Sequence, residues 1–400
     1  MSAKLCLLPI VVGLVGAGCV VGDGGVADDV PDNSSSDAPS DVPYLYPNAA
    51  QSGAVRSFSG GDFKAALEQL RPGDTLNIAP GIYDLGTPTN PGIAPILHSG
   101  TAEAPILVQA ADPSNWPHFR GQLVLNHPDF YIFKRLRIEG VRPPSGRVPS
   151  SSVTMAGGNH WTLVNVEIWG ATSTGAFANL SISTEVTPTK HWNPNGWRLI
   201  NSCIHDAGPG TAPGHDSVTD HNVYVNSEGT GPDGGLIAHN IFFGAYNGSQ
   251  IKIGNGGDPL APSADHISIE YNTMHHATRH VALFGHSTTR ITVKGNLMKA
   301  AEGRDPDQAY RDGISLQQLS SSSAANVHDN YVHGAEAAVG LHGLPGGVYV
   351  APSPDTNRLF NAAADDPRFN AAGCGGTGDP RYVPANPRAA RFGRYSTVAY

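Results

Sequence analysis

The sequence predicts an all-β chain coiled as a solenoid with three short strands per turn. Composition points away from helices: of 400 residues, 48 are Gly, 32 are Pro and only 15% are charged. One spacing then recurs along the chain: an apolar residue, a marked position three residues on, and a second apolar residue two beyond that. It reads Ile237, Asn240, Phe242; Ile269, Asn272, Met274; Val293, Asn296, Met298; and Val327, Asn330, Val332. Earlier copies replace the Asn: Phe133, Leu136, Ile138; Leu163, Val166, Ile168; and Leu199, Ser202, Ile204. The marked positions advance by 30, 36, 38, 32, 24 and 34 residues. Paired helices must stack at nearly constant repeat length, whereas a β-coil needs only its strands in register and can extrude loops of any length between them.

The N-terminus reads as an address. Lys4 precedes the apolar run Leu5 to Val15 and then Gly16-Ala17-Gly18-Cys19, a secretory pattern too short to span a bilayer permanently. Cys19 after small residues resembles a bacterial lipoprotein signal in which that cysteine is lipidated, which implies a chain at the outer membrane or cell surface; otherwise it is secreted. Residues 20–48 are rich in Asp, Ser, Pro and Gly and offer little to bury, so an extended tether is expected. The formal charge is −9, and without Lys4 and the six tether aspartates it is 24 basic against 28 acidic residues, or −4. A body without a basic excess is not a general nucleic-acid binder.

After the tether, Asp62 can cap a helix over 62–70 whose Phe63, Ala66, Leu67 and Leu70 share a face, stopped by Arg71-Pro72-Gly73. Such a plug covers the open edges of a first coil. The solenoid is expected over 49–351. Ahead of the Asn-marked segments run short alternations, Asn222 to Val225, Gln250 to Ile253, His280 to Leu283 and Gly313 to Leu316, which are strand signals. Asn suits the bend between strands because it tolerates the left-handed conformation and its amide can bond to the Asn one coil away. Residues 352–400, rich in Pro, Ala and Arg, read as a tail over the last coils. Cys203 and Cys374 are the two cysteines of the body; pairing and separate burial both remain open.

Gly73-Asp74-Thr75-Leu76-Asn77-Ile78 with Gly81-Ile82-Tyr83 resembles the opening coil of right-handed parallel β-helix proteins of the pectate lyase and chondroitinase B type. The Asn series resembles their asparagine ladder. Asp366-Pro367-Arg368-Phe369 and the Pro-Arg-Ala-Ala segment from Pro387 resemble their closing segment. The resemblance covers about residues 56 to 400 and implies a right-handed, three-sheet helix of about 8–10 coils. Lyases, hydrolases, epimerases and adhesins share this scaffold, so activity must be argued from the site.

Aligning Val223, Ile251, Val281 and Ile314 gives three columns facing away from the core: Asn222, Gln250, His280, Gly313; Tyr224, Lys252, Ala282, Ser315; and His221, Ser249, Arg279, Asp312. The resemblance implies that this sheet floors a substrate groove. β-Elimination on a uronate requires neutralising the carboxylate, removing the adjacent proton and assisting the departing oxygen. Lys252 is the expected base, its pKa lowered by cations such as Arg279; His221 and Tyr224 are the acid or base partners, and Arg279 or His280 the carboxylate holder. Asn222, Gln250, Arg311 and Asp312 are expected to bind substrate. Asp216 and Asp220 are candidate Ca²⁺ ligands.

These residues point to a lyase of an acidic polysaccharide. A non-catalytic glycan- or partner-binding protein and a glycoside hydrolase remain open, the latter disfavoured because no column supplies a carboxylate pair. A monomer is expected. His275, His276 and His280 do not form a helical zinc pattern, and no phosphate-cradling loop or Gly-x-Ser-x-Gly elbow occurs.

Overall fold

In a computed structural model, described over residues 52–86, 95, 97–140, 151–171, 178–208, 220–254, 262–285, 287–300, 312–319, 325–342, 356–360, 362–367 and parts of 369–394, the chain is a right-handed parallel β-helix of three sheets. The N-terminal address, the tether, Cys19, Asp216 and Arg311 lie outside the described residues. Among those residues no helix is long and apolar enough to cross a membrane.

The helix predicted at 62–70 forms over Phe63–Glu68, and the Asp62 carboxylate accepts from the Ala65 amide at 3.1 Å. Phe63, Leu67 and Leu70 are buried at its contact with the first coil, where Phe63 meets Phe58 and Phe119. Val55–Phe58 pairs with Thr75–Ile78, adding a strand ahead of the helix. One ten-stranded sheet runs from there to Ala325–His328, and a second from Ile82–Asp84 to Arg358–Phe360. The remaining sheet, which carries the candidate residues, runs from Leu123–Asn126 through His221–Val225 to Ala337–His342. Two long strands, Ile241–Ile253 and Thr273–Phe284, belong to two sheets at once, turning the corner through a register shift between Ala245 and Ser249. Leu180, Val223, Ile251, Val281 and Ile314 stack in register and are fully buried, so the core is a column of aliphatic side chains in every sheet.

The asparagine ladder lies at the bend after the first ten-stranded sheet. Asn240 Nδ2 donates to Asn272 Oδ1 at 3.0 Å, Asn272 to Asn296 at 3.0 Å, Asn296 to Asn330 at 2.9 Å and Asn330 to Asn357 at 2.9 Å. Each acceptor oxygen also takes a backbone N–H from the neighbouring coil, as Asn272 Oδ1 does from Asn240 at 2.9 Å. Each amide donates its second hydrogen to a carbonyl, such as Asn272 to Ile237. Asn357 extends the series beyond the four copies visible in the repeat.

One expectation is corrected. The left-handed residue is the one before the ladder Asn: His239, Tyr271 and Asp329 have φ of 56°, 51° and 54°, and Gly295 has 65°, as Asn201 does at 53° ahead of Ser202 in the earlier coil. The ladder Asn is there for its two donors and its acceptor, which fill the bend with bonds, and the preceding residue takes the strain. Cys203 and Cys374, left open by the sequence, form a disulfide with Cα atoms 5.9 Å apart. It fastens the tail to the outer side of the helix, where Lys299 also bonds Asp366 at 3.0 Å and the Tyr331 hydroxyl donates to the Asp365 carbonyl.

Candidate active site

Tyr224, Lys252, Ala282 and Ser315 stack in the register read from the sequence. The Lys252 ammonium lies 5.0 Å from the centroid of the Tyr224 ring, one coil away on one side. On the other side it lies 5.6 Å from that of Phe284. Ser181, Ala282 and Ser315 of this column are buried and Tyr224 and Lys252 half-buried, so this face is not an open, fully solvated sheet. Burial first, and the Arg279 guanidinium second, bring the Lys252 ammonium down to a pKa of about 8. A neutral amine is therefore accessible near neutral pH.

His221 opens the strand His221–Val225, and Arg279 lies inside Thr273–Phe284, where it pairs with Ser249. Both are buried, with 1% and 8% exposure. The Ser249 N–H donates to His221 Nδ1 at 3.0 Å, so the proton of the neutral ring sits on Nε2, which has no hydrogen-bond partner among the described residues. Burial, then the Lys252 and Arg279 charges, hold this imidazole well below its ordinary pKa. Gly248 makes the contact possible, since a Cβ there would meet His221 Nδ1 at 2.9 Å and the Asp220 carbonyl at 2.1 Å. The His221 and Tyr224 rings lie 5.5 Å apart.

The column expected to bind substrate through Asn222 and Gln250 is placed differently. Both are fully buried. Asn179 Nδ2 donates to Asn222 Oδ1 at 2.8 Å, and Asn222 donates in turn to Gln250. These amides also bond the backbone carbonyls of His205, Phe243 and His275. They are a second ladder running across this sheet, and their hydrogen-bonding capacity is committed to the fold. His280 follows in the same column and is buried with 1% exposure. Asp312 is also buried, and its carboxylate lies 2.5 Å from His342 Nε2. Asp220 is buried with its carboxylate against Gly208, whose added Cβ would meet Oδ2 at 2.4 Å. The one grouping of three metal-type ligands among the described residues is Cys203, His205 and Cys374, whose cysteines are bonded to each other.

No protein-family model matches the chain, and no curated protein matches it. Solved structures of similar fold include an alginate lyase from Paenibacillus sp. str. FPU-7, at 15% identity and a TM-score of 0.45, covering 72% of this chain and 97% of that one. Another is pectate lyase Pel9A, at 14% identity and a TM-score of 0.48, covering 83% and 88%.

Proposed function

We propose that the protein is a lyase that cleaves a uronate-containing polysaccharide by β-elimination, outside the cytoplasm and tethered by a lipid on Cys19. The observation that carries the reading is Lys252, whose amine, stacked beside Tyr224 of the adjacent coil, is brought toward neutrality by burial and by Arg279. In this reading the Arg279 guanidinium meets the uronate carboxylate, stabilising the charge that spreads onto it when the adjacent carbon loses its proton. Lys252 takes that proton on Nζ. The C–H electron pair becomes the new C=C bond, the bond to the departing glycosidic oxygen breaks, and Tyr224 supplies the proton to that oxygen. His221, neutral and fixed by the Ser249 amide, stands beside both partners and holds the site's charge low. Carboxylate neutralisation comes from Arg279 in this mechanism, and no step is assigned to Ca²⁺.

Ultraviolet absorbance of the unsaturated uronide product tests it, on a panel of pectate, alginate, chondroitin and ulvan. Growth of absorbance that Lys252→Ala abolishes without unfolding supports the site. Growth that survives the substitution rejects Lys252 as the base, and no product on any polymer rejects the lyase.

A further inference from the structure

We propose a second, non-catalytic site for an acidic saccharide in the cleft of about 430 Å³ between the 113–116 loop and the C-terminal tail, on a different face from Lys252. Its size falls in the range of about 300 to 1,000 Å³ usual for small-ligand sites. One wall is the indole of Trp116, whose Nε1–H donates to the Pro113 carbonyl at 2.8 Å, which fixes the ring. Asn165 and Asn201, both in the left-handed conformation at φ 53°, also line the cleft.

Two guanidinium groups line the cleft, Arg137 and Arg394. Arg137 is held by Glu167 at 2.6 Å through Nε and lies 5.3 Å over the Trp169 ring. Arg394 is carried by the tail, whose backbone is fixed there: its N–H donates to Thr273 Oγ1 at 3.1 Å, and its carbonyl accepts from His239 Nδ1 at 3.2 Å. Cys374, disulfide-bonded to Cys203, completes that wall. Glu167, which also lines the cleft, is kept ionised: burial would raise its pKa, but His205 and Arg137 outweigh burial and lower it. Arg137 and Arg394 thus bring two guanidinium-bearing side chains to a lining that holds one carboxylate, Glu167. An aromatic face, amide donors and acceptors, and guanidinium forks are the groups that bind a sugar ring bearing a carboxylate. A second grip on a long polymer raises the effective concentration of substrate at the first.

The test uses the full chain with Lys252→Ala, so that polymer is not consumed, in gels containing alginate, polygalacturonate or a neutral glucan. Retardation by an acidic polymer should fall at least about fivefold in Trp116→Ala and in Arg394→Ala. It should fall equally in Ser114→Trp, which fills the cleft while leaving its partners in place. In the otherwise unsubstituted protein, Trp116→Ala should leave the rate on short oligouronates unchanged. Retardation unaffected by Ser114→Trp and Arg394→Ala overturns the site, and equal retardation by the neutral glucan overturns its acidic preference. Loss of retardation in a protein that yields no unsaturated product on any polymer would keep this cleft and reject the lyase, so the two readings fail separately.

Discussion

Lys252 and Tyr224 occupy one column on adjacent coils, with the ammonium 5.0 Å from the ring centroid. Burial and Arg279 favour the neutral amine and bring its pKa down to about 8. A base works when deprotonated, so kcat/KM should rise with pH through an apparent pKa near 8. Arg279→Met removes a neighbouring positive charge and should move that limb upward while lowering the plateau. A limb unmoved by Arg279→Met would show that another group titrates.

Lys252→Arg keeps a cation on the column but supplies no base near neutral pH, because a guanidinium does not deprotonate in this range. The rate should fall about 10²- to 10⁴-fold, the span of a general base, with little change in KM. Product formation by absorbance, with the far-ultraviolet circular dichroism of the variant, checks this; a rate within a few fold of the parent contradicts the assignment.

Neutralisation by Arg279 predicts insensitivity to chelators. Treatment with EDTA followed by gel filtration should leave kcat within about twofold, since a Lewis acid that stabilised the enolate would contribute several kcal/mol. Recovery of a much larger loss by added Ca²⁺, and not by Mg²⁺, would assign the carboxylate contact to a cation instead.

Much of this architecture was legible because two periodicities reinforce each other. Alternation placed Val223, Ile251, Val281 and Ile314 in the core, and the Asn spacing set the coil, so the Tyr224, Lys252, Ala282, Ser315 register followed. Alternation reports which side of a strand a residue takes, but not what covers that side. Asn222 and Gln250 have the outward parity, yet their amides are buried against the Phe243 and His275 carbonyls of neighbouring coils. Val55–Phe58 carries no alternation in its sequence, because only Phe58 of its four residues is buried. The Cys203 and Cys374 pairing depends on where a tail 171 residues away is laid down, which no local pattern encodes.

The second ladder makes a distinct prediction for Gln250→Ala. Its loss leaves the Asn222 amide and the His275 carbonyl buried without their partner, each worth about 1 to 3 kcal/mol. The urea midpoint should fall markedly while KM, measured well below the new transition, stays close to that of the parent. A selective rise in KM with unchanged stability would return Gln250 to the substrate.

Asn272 is the sharpest test of the first ladder. Its side chain donates to Asn296 and to the Ile237 carbonyl and accepts from both the backbone and the amide of Asn240. Asn272→Ala strands these groups in a bend with no access to water, and at about 1 kcal/mol or more per lost bond the variant should lose roughly 3 kcal/mol or more. Asn272→Asp keeps the acceptor but removes the donors and buries a carboxyl group, so it should be no better than Ala at neutral pH. Asp329→Gly, by contrast, places the residue with least strain at φ 54° and should change stability by no more than about 1 kcal/mol, despite losing the contact with His328. Equilibrium urea unfolding of the three variants checks both expectations: a large cost at 272 means that the ladder's hydrogen bonds hold the coils in register, and a small one at 329 means that the side chain there adds little beyond occupying the left-handed position. A cost at 272 no larger than that at 329 contradicts the role given to the ladder.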